Sequence, residues 1–203
     1  MESIEIHIIE KIKKARGGSV FFLDDFLRFG SSKAVGKALE RLVMKGEISR
    51  VARGMYARLK KHEMFGEIQP TIEEIAKAIA KRDKARIIPT GVLALNALGL
   101  STQIPLKIVY LTDGSARTVQ IGQRTIKFKK TSPKNLATIG AISSLVIQAL
   151  KEIGKDNVTE NEIKIILKQL EKEEQHRLEH DIKLAPEWVR AILRLALNKH
   201  DNE

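Results

Sequence analysis

The chain contains no cysteine and few aromatic residues, which make up 4% of its 203 residues. Without thiols it can form neither disulfides nor thiolate zinc sites, and it has no thiol nucleophile. The shortage of aromatic rings leaves the core to aliphatic side chains and argues against base stacking on an aromatic platform. No run of about 18 apolar residues is present, so the sequence predicts no membrane partner.

The first residues do not have the features of a targeting signal. Residues 1–5 contain no basic segment ahead of an apolar run, which a secretory signal peptide requires. Together with the missing cysteine, this predicts a protein of the reducing cytoplasm.

Basic residues are in excess and are densest in the first third of the chain. There are 36 Lys and Arg against 25 Asp and Glu, a net charge of +11. Residues 1–66 hold 14 and 8 of these, a net charge of +6, and the other 137 residues hold 22 and 17, a net charge of +5. This distribution indicates a polyanionic partner for the first third.

The first third also shows a recognisable order of elements. The patterns predict a helix at 4–15, a strand at 19–22, a short helix at 24–29, a longer helix at 32–45, and a hairpin with strands at 48–52 and 55–59. Arg53-Gly54 supplies the turn of that hairpin. Helix, strand, helix, helix and hairpin is the order of a winged helix-turn-helix, in which the third helix enters the major groove of DNA.

The helix at 32–45 divides into an apolar side and a mostly cationic side, as a recognition helix must. The predicted DNA-binding residues are Ser31, Ser32, Lys33, Gly36, Lys37, Arg41, Arg50, Arg53, Gly54 and Tyr56. Arg58 is a further basic residue of the hairpin. Gly36 has two interpretations: its missing side chain admits a DNA strand, or it lets the preceding helix cross closely.

The remainder predicts a second domain. Residues 60–69 are polar and without periodicity, which predicts a linker and two domains, at 1–66 and 67–203. The second domain combines strands near 107–111, 118–121 and 124–128 with a helical tail, which includes a capping box at 159–162. The fold class is therefore α+β: an N-terminal winged helix-turn-helix followed by a mixed domain with C-terminal helices.

Three segments suggest other functions, but the rest of the sequence does not support them. Gly-Ser-Ala-Arg at 114–117 resembles the opening G-S-x-A-R of a nucleotidyltransferase, but residues 118–130 lack the carboxylates that would hold its metal ions. His176, His180 and Glu173 resemble half a metal site, although a solvated helix face explains them better. The loop regions at 90–91 and 98–103 could bind a ligand, but a helix end and a turn are the preferred interpretation. We therefore predict no catalytic residue, metal or cofactor.

Two stretches of the chain resemble a known family. They are FGSSKAVGKALERL at 29–42 and GEISRVARGMY at 46–56, which resemble the N-terminal winged helix of AbiEi-type antitoxins. The segments Thr90-Gly91, ALGLSTQIP at 97–105 and VYLTDG at 109–114 resemble the domain that follows in that family. These antitoxins are halves of abortive-infection, type IV toxin–antitoxin operons. The resemblance covers about residues 1–135.

The resemblance implies that the N-terminal domain represses its own operon and that the following domain neutralises a toxin. It implies a nucleotidyltransferase-like toxin as the genetic partner. The expected function is thus a DNA-binding transcriptional regulator acting on its own promoter, and not an enzyme. The alternatives are a protein-interaction adaptor whose winged helix does not touch DNA, and an RNA-binding or nucleotidyltransferase-like enzyme.

Overall fold

The structure is a computed structural model that describes residues 3–64 and 66–200. Helices and strands are mixed along the chain and the last elements are helical, so the predicted α+β class with C-terminal helices is confirmed. The chain forms two compact units, one of residues 1–82 with 120–122 and the other of residues 83–119 with 123–203. The sequence predicted a domain boundary after residue 66, which is earlier in the chain than the division after residue 82.

Over residues 4–57, the elements of the first unit follow the order that the sequence predicts. They are α1 (Ile4–Lys14), β1 (Val20–Phe22), a 3₁₀ helix (Leu23–Phe29), α2 (Ser32–Met44), β2 (Ser49–Ala52), β3 (Met55–Ala57), β4 (Lys60–His62), β5 (Gly66–Ile68) and α3 (Ile72–Arg82). Strands β1, β3 and β2 form an antiparallel sheet in that order. The second predicted helix is present as the 3₁₀ helix.

Local sequence explains where α1 and α2 begin. The hydroxyls of Ser3 and Ser31 accept hydrogen bonds from the backbone N–H groups of Ile6 and Ala34, at 3.4 and 3.3 Å. Each bond satisfies an N–H that has no partner within its helix. The apolar sides of both helices then meet in one core, which contains Ile8, Ile12, Phe26, Leu39 and Ile48 among its buried side chains.

The prediction of a linker at 60–69 is wrong. Strands β4 and β5 pair antiparallel in this segment, with Lys60 opposite Ile68 and His62 opposite Gly66. Their polar side chains show no alternation of apolar and polar residues, so the usual sign of a strand is missing. Helix α3 follows, and its Arg82 guanidinium lies 4.2 Å from the centre of the Phe22 ring of β1. This contact assigns α3 to the first unit.

The second unit combines one sheet with a group of helices. Its elements are β6 (Ile87–Pro89), α4 (Val92–Ala97), β7 (Lys107–Thr112), β8 (Arg117–Ile121), β9 (Arg124–Lys130), α5 (Ala141–Ile153), α6 (Glu160–Leu170), α7 (Gln175–Ile182) and α8 (Glu187–His200). The strand order is β6-β7-β9-β8, with β7 and β9 parallel and β6 antiparallel to β7. The sequence did not predict β6. Among the described residues, no helix is long and apolar enough to cross a membrane.

Aliphatic residues of α4 to α8 form the core of this unit. The central helix α5 contributes Val146 and Leu150, and α6 and α8 contribute Ile166 and Leu193. The predicted capping box at the start of α6 is confirmed: the Thr159 N–H donates to the carboxylate of Glu162 at 2.8 Å, and the Glu162 N–H donates back to the Thr159 hydroxyl at 3.3 Å.

Helix α5 begins against two buried carboxylates from distant parts of the chain. One belongs to Glu173, whose Oε2 accepts hydrogen bonds from the N–H groups of Ile142 and Ser143 at 2.6 and 3.0 Å. These N–H groups lie in the first turn of α5, where they have no acceptor within the helix. A carboxylate there also interacts favourably with the helix dipole.

The second carboxylate belongs to Asp181, which is fully buried. Its two oxygens accept from the N–H groups of Ile139 and Gly140 at 2.9 and 3.0 Å, and Oδ2 also accepts from the Ser143 hydroxyl at 2.6 Å. The Nδ1 atom of His180 lies 2.8 Å from Oδ1. A Cβ atom at Gly140 would clash with the Ser143 hydroxyl. Asp181 therefore joins α7 to the start of α5, while Glu173, which lies between α6 and α7, binds the first turn of α5.

We expect Asp181→Asn to lower the free energy of unfolding of the second unit by about 2–4 kcal/mol, because an amide nitrogen would face an N–H donor that then has no acceptor. The single tryptophan, Trp188, packs on this core and provides a local fluorescence signal in a urea titration. Asp156→Asn, at an exposed position, is the matched control and should leave the midpoint unchanged. Equal midpoints for both variants would show that the Asp181 bonds contribute little.

Candidate nucleic-acid interface

Helix α2 buries one side and exposes a basic one. Val35, Ala38, Leu39 and Leu42 are all buried in the first core. Lys33, Lys37 and Arg41 are exposed, and their spacing of four residues places them along the same side of the helix. The predicted division of this helix is therefore present. Ser31 and Ser32 are exposed at its N-terminus, and the Ser31 hydroxyl is engaged in capping.

The hairpin of β2 and β3 adds two more exposed cations. Arg50 lies on β2 and Arg53 lies at the turn. Gly54, next to Arg53, has a φ angle of +71°, and apart from its chain neighbours no described residue comes within 4 Å of the position that a Cβ atom would take. The left-handed conformation explains glycine here, while the open space around it leaves the turn accessible.

The cations of this surface differ in whether they already have a partner. No acidic residue that the structure describes forms an ion pair with Lys33, Lys37, Arg50 or Arg53. Arg41, in contrast, pairs with the carboxylate of Glu5 on α1. We refer to Lys33, Lys37, Arg50 and Arg53 as the open cations, since their charge is available to an external anion.

Glu5 also accepts a hydrogen bond from the Lys45 ammonium at 2.7 Å. This bond, together with the charge of Arg41, holds the pKa of the Glu5 carboxyl below its usual value. Arg41 therefore has its charge compensated within the chain, unlike the open cations.

Two residues of the predicted wing, Tyr56 and Arg58, make contacts within the fold. Tyr56, predicted to contact DNA, is buried in the first core opposite Phe21 of β1. The guanidinium of Arg58 donates to the backbone carbonyls of Lys13 and Ala15, at the end of α1. Such carbonyls lack partners within the helix, so Arg58 closes α1 and is not available to a ligand.

Gly36 is not required by packing within the chain. A Cβ atom at this position would meet only Leu23 Cδ1 at 3.8 Å, an ordinary van der Waals distance. The interpretation that Gly36 lets the preceding helix cross closely is therefore not supported. Gly36 lies on the same helix as the open cations Lys33 and Lys37, and the interpretation that its missing side chain admits a DNA strand stays a prediction.

The segments discounted by sequence also have structural explanations. Gly114 to Arg117 forms the connection from β7 into β8, and the Arg117 guanidinium pairs with Asp83. Glu173 does not join His176 and His180, because it is buried at the start of α5, while His180 pairs with Asp181. No group of three metal-ligating side chains occurs in the part of the chain that the structure describes.

The two loop regions considered as ligand sites, at 90–91 and 98–103, have different surroundings. Thr90 and Gly91 line a cavity of about 230 Å³ together with Lys107, Lys129 and Glu152. In the other loop, the carbonyl of Gln103 accepts a hydrogen bond from the Asn96 side-chain amide at 2.6 Å, which fits a helix end followed by a turn.

Comparison with known proteins assigns the chain to a family. A pattern described as "Family of unknown function (DUF6088)" matches residues 7–178. The chain belongs to this family. No curated protein matches it. Among solved structures, the RV2827C protein from Mycobacterium tuberculosis is similar at 12% sequence identity, over 94% of this chain and 80% of that chain, with a TM-score of 0.46. The resemblance to AbiEi-type antitoxins stays a prediction.

The two arginines of the hairpin region should respond differently to truncation. We expect Arg58→Ala to lower the free energy of unfolding of the first unit by about 1–3 kcal/mol, because two carbonyls at the end of α1 lose their donor. Arg53→Ala should change it by no more than about 0.5 kcal/mol, as is usual at an exposed position. Thermal unfolding followed by circular dichroism would measure both. A lower melting temperature for Arg53→Ala than for Arg58→Ala would contradict these assignments.

Proposed function

We propose that the chain is a DNA-binding transcriptional regulator and not an enzyme, and that its first unit acts as a winged helix-turn-helix on its own promoter. The observation that carries this proposal is the set of open cations. Lys33 and Lys37 lie on the exposed side of α2, and Arg50 and Arg53 lie on the following hairpin. These are the two elements with which winged helices contact DNA.

The electrostatics favour DNA over a protein partner. Leaving several cations without ion-pair partners costs stability through mutual repulsion, and phosphate groups relieve that repulsion while releasing bound counterions. Lys33 and Lys37 are one helical turn apart, where like charges repel most directly. An adaptor that used this surface would need a strongly acidic partner, whereas DNA presents phosphates on every nucleotide.

The antitoxin role is the second part of the proposal and rests on the resemblance to AbiEi-type antitoxins. On that basis, the first unit represses the operon and the second unit neutralises a nucleotidyltransferase-like toxin encoded beside it. The two activities would then depend on different residues. Changing the open cations should remove repression without affecting toxin neutralisation.

We expect Lys37→Glu to weaken binding to the upstream DNA by about ten-fold and to lower the slope of log affinity against log salt by about 1, because it replaces attraction to a phosphate by repulsion. A mobility-shift titration at several salt concentrations would measure both quantities. Lys168→Glu, on the exposed side of α6 in the second unit, makes the same change in net charge and is the control. Equal binding by both variants would remove Lys37 from the interface.

The same variant provides the test of separate activities. A promoter–reporter assay should show lost repression for Lys37→Glu, while co-expression with the neighbouring toxin should show unchanged rescue. If a folded Lys37→Glu protein lost rescue together with repression, the two activities would not be separable. If no DNA bound to the native chain at any salt concentration, a protein-interaction adaptor would be the better description.

We expect Glu5→Gln to act in the opposite direction and strengthen DNA binding by a few fold, because Arg41 and Lys45 would lose the carboxylate that compensates them. Additional cationic charge close to the α2 surface raises affinity most at low salt. Glu10→Gln on the same helix, at an exposed position, is the matched control. Weaker binding by Glu5→Gln, with the fold intact, would show that Glu5 positions Arg41 for DNA instead of neutralising it.

A further inference from the structure

A second basic region lies in the second unit, far along the chain from α2. Residues 114–151 contain seven Lys and Arg residues and no Asp or Glu. The cations are Arg117, Arg124, Lys127, Lys129, Lys130, Lys134 and Lys151. The proposed contact between α2 and DNA uses none of them. Their local excess of positive charge therefore needs its own explanation.

The pairing of β7 with β9 gathers three lysines on one side of the sheet. In the parallel register, Lys107 lies beside Thr125, Val109 beside Lys127, and Leu111 beside Lys129. Side chains alternate between the two sides of a strand, so Lys107, Lys127 and Lys129 share one side. All three are exposed. We call Lys107, Lys127 and Lys129 the lysine face.

Over residues 108–110 and 126–128, the opposite side of the same two strands is apolar and buried. Ile108 and Tyr110 of β7 lie beside Ile126 and Phe128 of β9, and all four are buried. The alternation therefore holds the lysine face outward, since reversing it would expose four large apolar side chains. The aromatic rings of these strands lie on the buried side.

The charges of the lysine face are not compensated by ion pairs. No acidic residue within 3–64 or 66–200 forms a salt bridge with Lys107, Lys127 or Lys129. Glu152 is the carboxylate that lines the same cavity as Lys107 and Lys129. Nearby, burial and the charge of Lys134 lower the pKa of Lys151, so cations adjoin one another in this acid-free segment.

We infer that the lysine face is a second DNA-contacting surface, which binds the phosphate backbone of duplex DNA without reading its sequence. Lysine ammonium groups on an exposed sheet side supply point charges suited to phosphates. Single-stranded nucleic acid is a poorer fit, because stacking requires exposed aromatic rings and Tyr110 and Phe128 are buried. The choice of duplex DNA as the ligand rests on the proposed function of the first unit.

The test uses the full chain and a fluorescent duplex of scrambled sequence, beside a duplex of the upstream DNA. For Lys127→Glu/Lys129→Glu, we expect weaker binding to both duplexes and a salt slope reduced by about 2, because each lysine that contacts a phosphate contributes about 1. Lys164→Glu/Lys168→Glu, on the exposed side of α6, changes net charge equally and should preserve the slope. Fluorescence anisotropy at several salt concentrations would measure these values.

Three further measurements separate the outcomes. Lys127→Thr/Lys129→Thr removes the charges with residues that suit a strand, and it should also lower the slope if the glutamate variant fails to fold. Lys33→Glu/Lys37→Glu should abolish the preference for the upstream duplex while scrambled DNA still binds. If the native chain binds the upstream and the scrambled duplex equally well, the proposed function is wrong, but the lysine face remains supported. Equal slopes for the lysine-face and α6 variants, or tight binding to anionic phospholipid vesicles without binding to duplex, would overturn the inference.

Discussion

Helix α2 can bury Val35, Leu39 and Leu42 only by turning Lys33 and Lys37 outward, because its side chains repeat about every 3.6 residues. Each large side chain that enters the core contributes about 1.5–3 kcal/mol, whereas an exposed lysine contributes little. Apolar packing therefore sets the direction of the basic side. The proposed DNA contact depends on this arrangement, since a rotation of α2 would remove both its core residues and its open cations.

The first unit uses its basic residues in two distinct ways. Arg58 donates to carbonyls at the end of α1, and Arg41 is paired with Glu5, so both are engaged within the chain. Lys37 and Arg53 are exposed and lack ion-pair partners among the described residues. Net charge alone does not distinguish these groups. Only those without internal acceptors can exchange counterions for phosphates, which is the source of affinity for DNA.

The second unit distributes its charges differently. Glu173 and Asp181 are buried against the start of α5, where they satisfy backbone N–H groups. Their negative charge is therefore taken up by hydrogen bonds at the start of α5. In this unit the carboxylates of Glu173 and Asp181 are buried, while the sheet exposes lysines from a segment that contains no acidic residue.

The sequence alone predicted the features that depend on near neighbours: the apolar side of α2, the capping box at 159–162, and the β2–β3 turn. Helical periodicity, capping and glycine turns act within a few residues, so a local pattern is sufficient. The tertiary structure decided the pairing at 60–68 and which polar groups are buried. Ser143 and Asp181 are 38 positions apart when they bond, and no local pattern records a partner at that distance, because it is chosen by how helices pack.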